Sequence, residues 1–369
     1  MNTPQRSDNR PERLSRTQVP VWEGDVGKHQ LGIRVAFPYD AATRKQLKQD
    51  TAERRLVELW TGCYFDFIEW FEYHNRDKYW LTCIAVALKY RGRFLCEDAA
   101  IATHRLPQPR IPAKIVVGST RCKKNSTPGE TWLGALVHCR YRQVPEEHIV
   151  MASGVAVTSV AWTAAAIISR LRTDDDFAFY YGLMVVEAAM SRGITKDAIQ
   201  ECAMKKDGKR RGPLVTKVLD NSTYGSESPA ESYMRGLLIS AGFPRFIQQA
   251  NIFNDKGEWA GRVDFLFPEY GLIIEVDGEI KYRGEDVDTQ YVLRKERRRE
   301  NGLANLGYRV IRIRWAEMES REALEIIAAA LRAHPKGALT PRGFAEQAPG
   351  IWVDNRTRIK WLTERRKKE

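Results

Sequence analysis

A chain of 369 residues with a formal charge of +12 and a pI near 9.4 is long enough for two or three compact domains and suited to a phosphate-rich partner. That balance argues against an acidic or purely small-molecule system. Six cysteines (Cys63, Cys83, Cys96, Cys122, Cys139, Cys202) without a CxxC pair argue against a disulfide framework or zinc site and for reduced cytosolic thiols.

Residues 1–35 are polar and expected to be loosely ordered, and the opening Met1–Asp8 has no apolar core of a secretory leader. The longest apolar stretch, around Gly154 to Ile168, is short and interrupted by Thr158, Ser159 and Thr163. It predicts a strand followed by a buried helix, so the chain is expected to be cytoplasmic and not membrane-bound. From Thr43 to Leu47, Arg54 to Leu59 and Gly62 to Tyr64 the pattern suggests helices leading into a hairpin, the reading of a winged-helix-like module over 36–75. An α+β region is expected over 76–204. The aromatics Tyr64, Phe65, Phe67, Trp70, Phe71, Tyr73, Tyr79 and Trp80 read as core, and His104, with no second ligand at metal spacing, as a helix-end histidine.

Lys205–Pro213, basic and rich in glycine, opens an expected linker over 205–226. Over 227–333 an α/β domain follows. Ser228 reads as an N-cap with Pro229 at the first helical position and Glu231 able to close a capping box; Gly242 ends that helix. A strand around Phe246 to Ile252 and a hairpin over 261–278 come next. A charged helix from about Asp286 to Leu306, a strand from Tyr308 to Trp315 and a helix from about Ser320 to Ala333 complete the order. The tail 334–369, ending in Arg356–Lys368, is a cationic helix or arm that would add salt-sensitive affinity for nucleic acid.

The hairpin carries the chemistry. With Pro268 and Gly271 bounding a four-residue turn, residues whose numbers sum to 539 face each other: Asp264 opposes Glu275, and Arg262 opposes Asp277. Like charges directly opposite in a ladder are destabilising unless a cation lies between them, which a divalent metal on carboxylate oxygens would supply. Surface charges and an Arg262–Asp277 pair are the plainer alternative. Glu275, however, interrupts the apolar run Leu272-Ile273-Ile274 and Val276, where an unpaired carboxylate is costly.

This order of elements, with Arg262-Val-Asp264-Phe, Pro268, Leu272-Ile-Ile-Glu275-Val-Asp277-Gly278, Lys281-Tyr282, Glu296, Arg299-Glu300, Leu306-Gly307, Val310-Ile-Arg312 and Trp315, resembles the PD-(D/E)XK nuclease superfamily, in its very-short-patch-repair-like branch (the DUF559 group). The resemblance implies a mixed α/β, restriction-endonuclease-like fold and a metal-dependent deoxyribonuclease. Asp264 and Glu275 would hold Mg²⁺ or Mn²⁺, and Lys281 would stabilise the charged phosphate. Asp277 stands where the motif usually has lysine, as a further metal ligand or only the partner of Arg262. Glu231 is a metal-reaching acid or a capping residue. Arg262, Arg298 and Arg299 are candidate contacts to DNA phosphates, Arg299 the strongest, although most of the run 294–300 reads as a solvated face. The region through Leu95–Pro107, Lys114–Val117 and Val155–Thr163 is similar to the abortive-infection type IV antitoxin family, although Trp162 and Ala166 replace the expected arginine and acid. A single nuclease centre cuts one strand, so a double cut implies a homodimer or two encounters. The alternatives are a DNA-binding regulator that keeps an inactive nuclease fold and a module that binds a toxin or defence partner.

Overall fold

The computed structural model describes residues 31–36, 41–90, 92–121, 124–171, 176–207, 212–277 and 299–347. The chain divides into two units, one formed by the residues up to Thr103 and Ile111–Thr158, the other by His104–Arg110 and Ser159 onward. Both mix helices with sheet, as the composition of apolar periodicities predicts.

In the first unit β1 (Arg34–Val35), β2 (Leu56–Trp60) and β3 (Cys63–Asp66) form an antiparallel sheet of order β1-β3-β2, preceded at β2 by α1 (Ala41–Ala52). The segment expected as a second helix is therefore strand β2. Its residues Leu56, Val57, Leu59 and Trp60 are buried on both faces, and this burial outweighs the helix-forming character of Arg54-Arg-Leu-Val-Glu. Asp66 then accepts from the Ile68 and Glu69 backbone N–H groups and starts α2 (Phe67–Glu72), followed by α3 (Asn75–Lys89). A six-stranded mixed sheet follows in the order β6-β7-β5-β4-β9-β8. It is built from β4 (Phe94–Cys96), β5 (Lys114–Ser119), β6 (Ser126–Glu130), β7 (Leu136–Tyr141), β8 (Ile149–Ala152) and β9 (Val155–Thr158), with α4 (Asp98–Thr103) after β4. One hydrophobic core runs through Val57, Phe65, Trp70, Ile84, Leu95, Val117 and Val157, so residues 36–75 share it with the sheet that follows, beside a smaller cluster of their own formed by Ala36, Leu47, Leu56 and Tyr64. Tyr64, Phe65, Trp70 and Tyr79 are core as expected; Phe71 is half exposed.

The second unit opens with α5 (Val160–Arg170), capped by Ser159, which accepts from the Trp162 N–H at 3.3 Å. Strand β9 and buried helix α5 match the expectation for 154–168. Next come α6 (Asp176–Met190), α7 (Lys196–Asp207), α8 (Pro213–Asn221) and α9 (Pro229–Ser240). The stretch expected as a linker thus contains the end of α7 and all of α8, whose Leu214, Val215, Val218 and Leu219 are buried. Gly236 lets α9 lie against α6: a Cβ there would stand 2.7 Å from Tyr180 Cδ1. No helix among the described residues is long and apolar enough to cross a membrane.

The closing sheet has the order β13-β12-β11-β10-β14, from β10 (Ile247–Phe253), β11 (Trp259–Phe267), β12 (Leu272–Asp277), β13 (Arg309–Arg314) and β14 (Phe344–Gln347). Only β12 and β13 run parallel; the other pairs are antiparallel. Residues 299–305 are helical, and Leu303 joins Val263, Leu266 and Ile273 in the sheet's core. A short helix that was not anticipated, α10 (Trp315–Glu319), precedes α11 (Glu322–Ala333), which matches the helix expected from about Ser320. Part of the expected cationic arm is instead edge strand β14, with Phe344 stacked on Phe253 at 5.0 Å. Arg356–Lys368 lie outside the described residues.

Candidate functional site

The hairpin forms in the predicted register: Phe265 faces Ile274, Leu266 faces Ile273 and Phe267 faces Leu272. Gly271, at φ +57, closes the turn in the left-handed region that glycine adopts without strain. The ladder pairs end at Phe265 and Ile274. Beyond them Asp264 turns its Oδ2 to accept the Val276 N–H at 2.8 Å, while Glu275 Oε2 accepts from the Arg299 guanidinium at 2.9 Å. The two carboxylates, which a regular ladder would set face to face, thus take different partners. Arg262 does not use Asp277 as its ion-pair partner: its guanidinium reaches Glu227 at 2.7 Å, and both are exposed. Asp277 is half-buried at the end of β12, beside Arg314 of β13 in the register.

Helix α9 brings a third acid to the same place. Ser228 Oγ accepts the Glu231 N–H at 3.2 Å, as the N-cap reading predicts. The Glu231 carboxylate reaches back to the N–H of Glu227, at 3.0 Å, one residue before the capping-box position. The same oxygen, Oε2, accepts from Gln249 Nε2 at 2.8 Å, and that Nε2 also lies 3.3 Å from Asp264 Oδ1. Glu231 thus caps the chain entering α9 one residue away from the expected position and shares the Gln249 amide with Asp264.

Electrostatics follow from this crowding. Burial, and then the charge of Asp264, push the Glu231 carboxyl up to about 7 from an ordinary 4.5. The same two causes raise Glu275, opposed by Arg299 and Arg312. Glu275 Oε1 is buried and has no hydrogen-bond partner among the described residues, an unmet demand that an unpaired carboxylate oxygen makes costly. Arg299 also donates to the Arg262 carbonyl at 2.8 Å, and Glu300 pairs with Arg312 at 2.6 Å. Of the arginines expected on DNA, Arg299 and Arg262 thus each hold an acid of this unit.

Among the described residues no group of three or more His, Cys, Asp or Glu side chains is gathered at metal-holding distance. The donor set nevertheless suits a hard divalent cation: carboxylate oxygens from α9, β11 and β12, two of the acids raised by burial and then by the charge of Asp264, and one buried oxygen unpartnered among the described residues. Glu231, Asp264 and Glu275 are brought together. Lys281 and Arg298 lie outside the described residues, as do Gly278, Tyr282 and Glu296. Gln249 was not anticipated, because an amide in a strand carries no chemical signature and its backbone angle, φ +51, is set by the tertiary fold. His104 directly follows α4, its carbonyl accepting from Arg192. Cys63, Cys83, Cys96, Cys139 and Cys202 are buried thiols. No family model, curated protein or solved structure matches the chain.

Proposed function

We propose that the second unit is a metal-dependent deoxyribonuclease that hydrolyses phosphodiester bonds, with Asp264 and Glu275 as the metal-holding acids and Glu231 beside them. The observation that carries this reading is the buried, unpartnered Glu275 Oε1 among the described residues, in a cluster of three carboxylates from three elements. A hard cation there would offset their repulsion; when bound it polarises a phosphate oxygen and lowers the pKa of an attacking water. Asp264, fixed by the Val276 N–H, presents a carboxylate of set orientation, and Arg299 holds Glu275 from the other side. A basic chain supplies the long-range attraction for DNA.

The test is cleavage of supercoiled plasmid and single-stranded DNA with Mg²⁺, Mn²⁺ or chelator, comparing the wild type with Asp264→Ala/Glu275→Ala. Metal-dependent cutting lost in the double variant is expected; cutting that survives it would defeat the assignment.

A second reading, a DNA-binding regulator on an inactive nuclease scaffold, draws on Arg299: its guanidinium already neutralises Glu275, and Asp277 stands where the motif lysine would be. It predicts salt-sensitive DNA binding without cleavage in any metal.

A further inference from the structure

Gln249 is 2% exposed and, alone among the residues of its strand, has a left-handed backbone, at φ +51. Gln248 pairs with Phe265 and Ala250 with Val263, so Gln249 stands across the sheet from Asp264. Long unbranched residues seldom adopt that region, which favours glycine and, among the rest, asparagine and aspartate. A strained residue held at a cluster of acids is an observation that invites a functional account. Its single side-chain nitrogen supplies that account, because Nε2 donates to Glu231 Oε2 at 2.8 Å and lies within 3.3 Å of Asp264 Oδ1. One amide therefore ties the carboxylate of α9 to that of β11. Next to it, Gln248 Nε2 donates to Ser226 Oγ at 2.9 Å, and Ser226 Oγ donates to Glu187, which also accepts from Arg235 at 3.1 Å. The strand is thus fastened on one side to the base of α9 and on the other to the acids.

We infer that Gln249 is a positioning residue for the metal-holding acids, its neutral amide keeping Glu231 and Asp264 aimed at one point. The inference rests on the metal reading above. A carboxylate in this place would add a fourth like charge, and an apolar side chain would release both acids. Partners that orient ligands in this way are commonly worth 10–100-fold in metal affinity.

Mn²⁺ binding by calorimetry tests it, with the full chain, for wild type, Glu275→Ala, Gln249→Asn and Gln249→Gly. Asparagine keeps the amide and tolerates the left-handed backbone but is one methylene too short; glycine relieves the backbone and deletes the amide. Both variants should keep the wild-type thermal midpoint within a few degrees and bind Mn²⁺ roughly 10–100-fold more weakly. A residue needed only for its turn would show no such loss in either. Wild-type affinity in both folded variants would overturn the inference while leaving the nuclease reading intact. Absence of Mn²⁺ binding by the wild type would remove the metal reading and this inference with it. As a measurement that needs no variant, Mn²⁺ should slow backbone hydrogen exchange across residues 247–253 of the wild type, and unchanged exchange there in the Mn²⁺-bound protein would also overturn the inference.

Discussion

Replacing Glu231 by glutamine should stabilise the metal-free protein at alkaline pH and do little at acid pH. The carboxyl is pushed from an ordinary 4.5 to about 7, chiefly by burial and then by Asp264, so the folded state holds a proton that the unfolded chain has released. For an acid raised on folding, the favourable contribution is complete below about 4.5 and is lost as pH climbs through about 7. The gap between those values corresponds to about 3 kcal/mol, and less than about 1 kcal/mol of it is felt by pH 5. Glutamine does not titrate, yet its carbonyl can still accept from the Glu227 N–H and Gln249. Urea titration followed by hydrogen exchange of peptides from α9 and β11 should therefore show Glu231→Gln more stable than wild type by about 3 kcal/mol at pH 8, with the difference nearly closed at pH 5. Saturating Mg²⁺ should close it from the other side, by stabilising the wild-type carboxylates. An equal difference at both pH values would refute the buried-acid reasoning.

Three further outcomes follow from contacts in the same unit. Arg299→Gln removes the cation that competes for Glu275 Oε2, so calorimetry should find Mn²⁺ binding tighter by roughly tenfold; weaker binding would mean that Arg299 supports the site rather than competing for it. Glu187→Leu strands the buried Arg235 guanidinium and should cost about 3–5 kcal/mol in denaturant unfolding, a loss that a merely decorative pair would not show. Gly236→Ala forces a Cβ to within 2.7 Å of Tyr180 Cδ1 and should cost about 1–3 kcal/mol by the same assay; wild-type stability would show that α6 and α9 can move apart freely.

The parts of this unit legible in the sequence were those fixed by local chemistry. Pro268 and Gly271 set the turn, and the turn sets the register of Phe265 to Ile274. Ser228 and Pro229 marked the start of α9 for the same reason. Misreadings arose where composition outweighed pattern. The basic, glycine-rich surroundings of 205–226 hid the apolar stripe Leu214, Val215, Val218 and Leu219, which is spaced for a helix. Strand β14 was hidden in the same way, since its pairing with β10 depends on a partner nearly a hundred residues away in sequence. At the site, Glu231, Asp264 and Glu275 were visible as chemistry, but the partners that hold them were not. Nothing local says that Arg262 will choose Glu227, that Arg299 will choose Glu275, or that Gln249 will adopt a left-handed backbone to reach two acids.

The most direct test of the central claim exchanges one hard ligand for a soft one. Asp264→Cys replaces an oxygen donor by a soft thiolate one bond shorter, which disfavours Mg²⁺ and favours softer ions. If Asp264 holds the metal of a nuclease, plasmid cleavage by this variant should be lost in Mg²⁺ and regained in part with Mn²⁺ or Cd²⁺, while the wild type cuts in Mg²⁺. Undiminished cleavage by Asp264→Cys in Mg²⁺, or no cleavage by the wild type in any metal, would contradict the account.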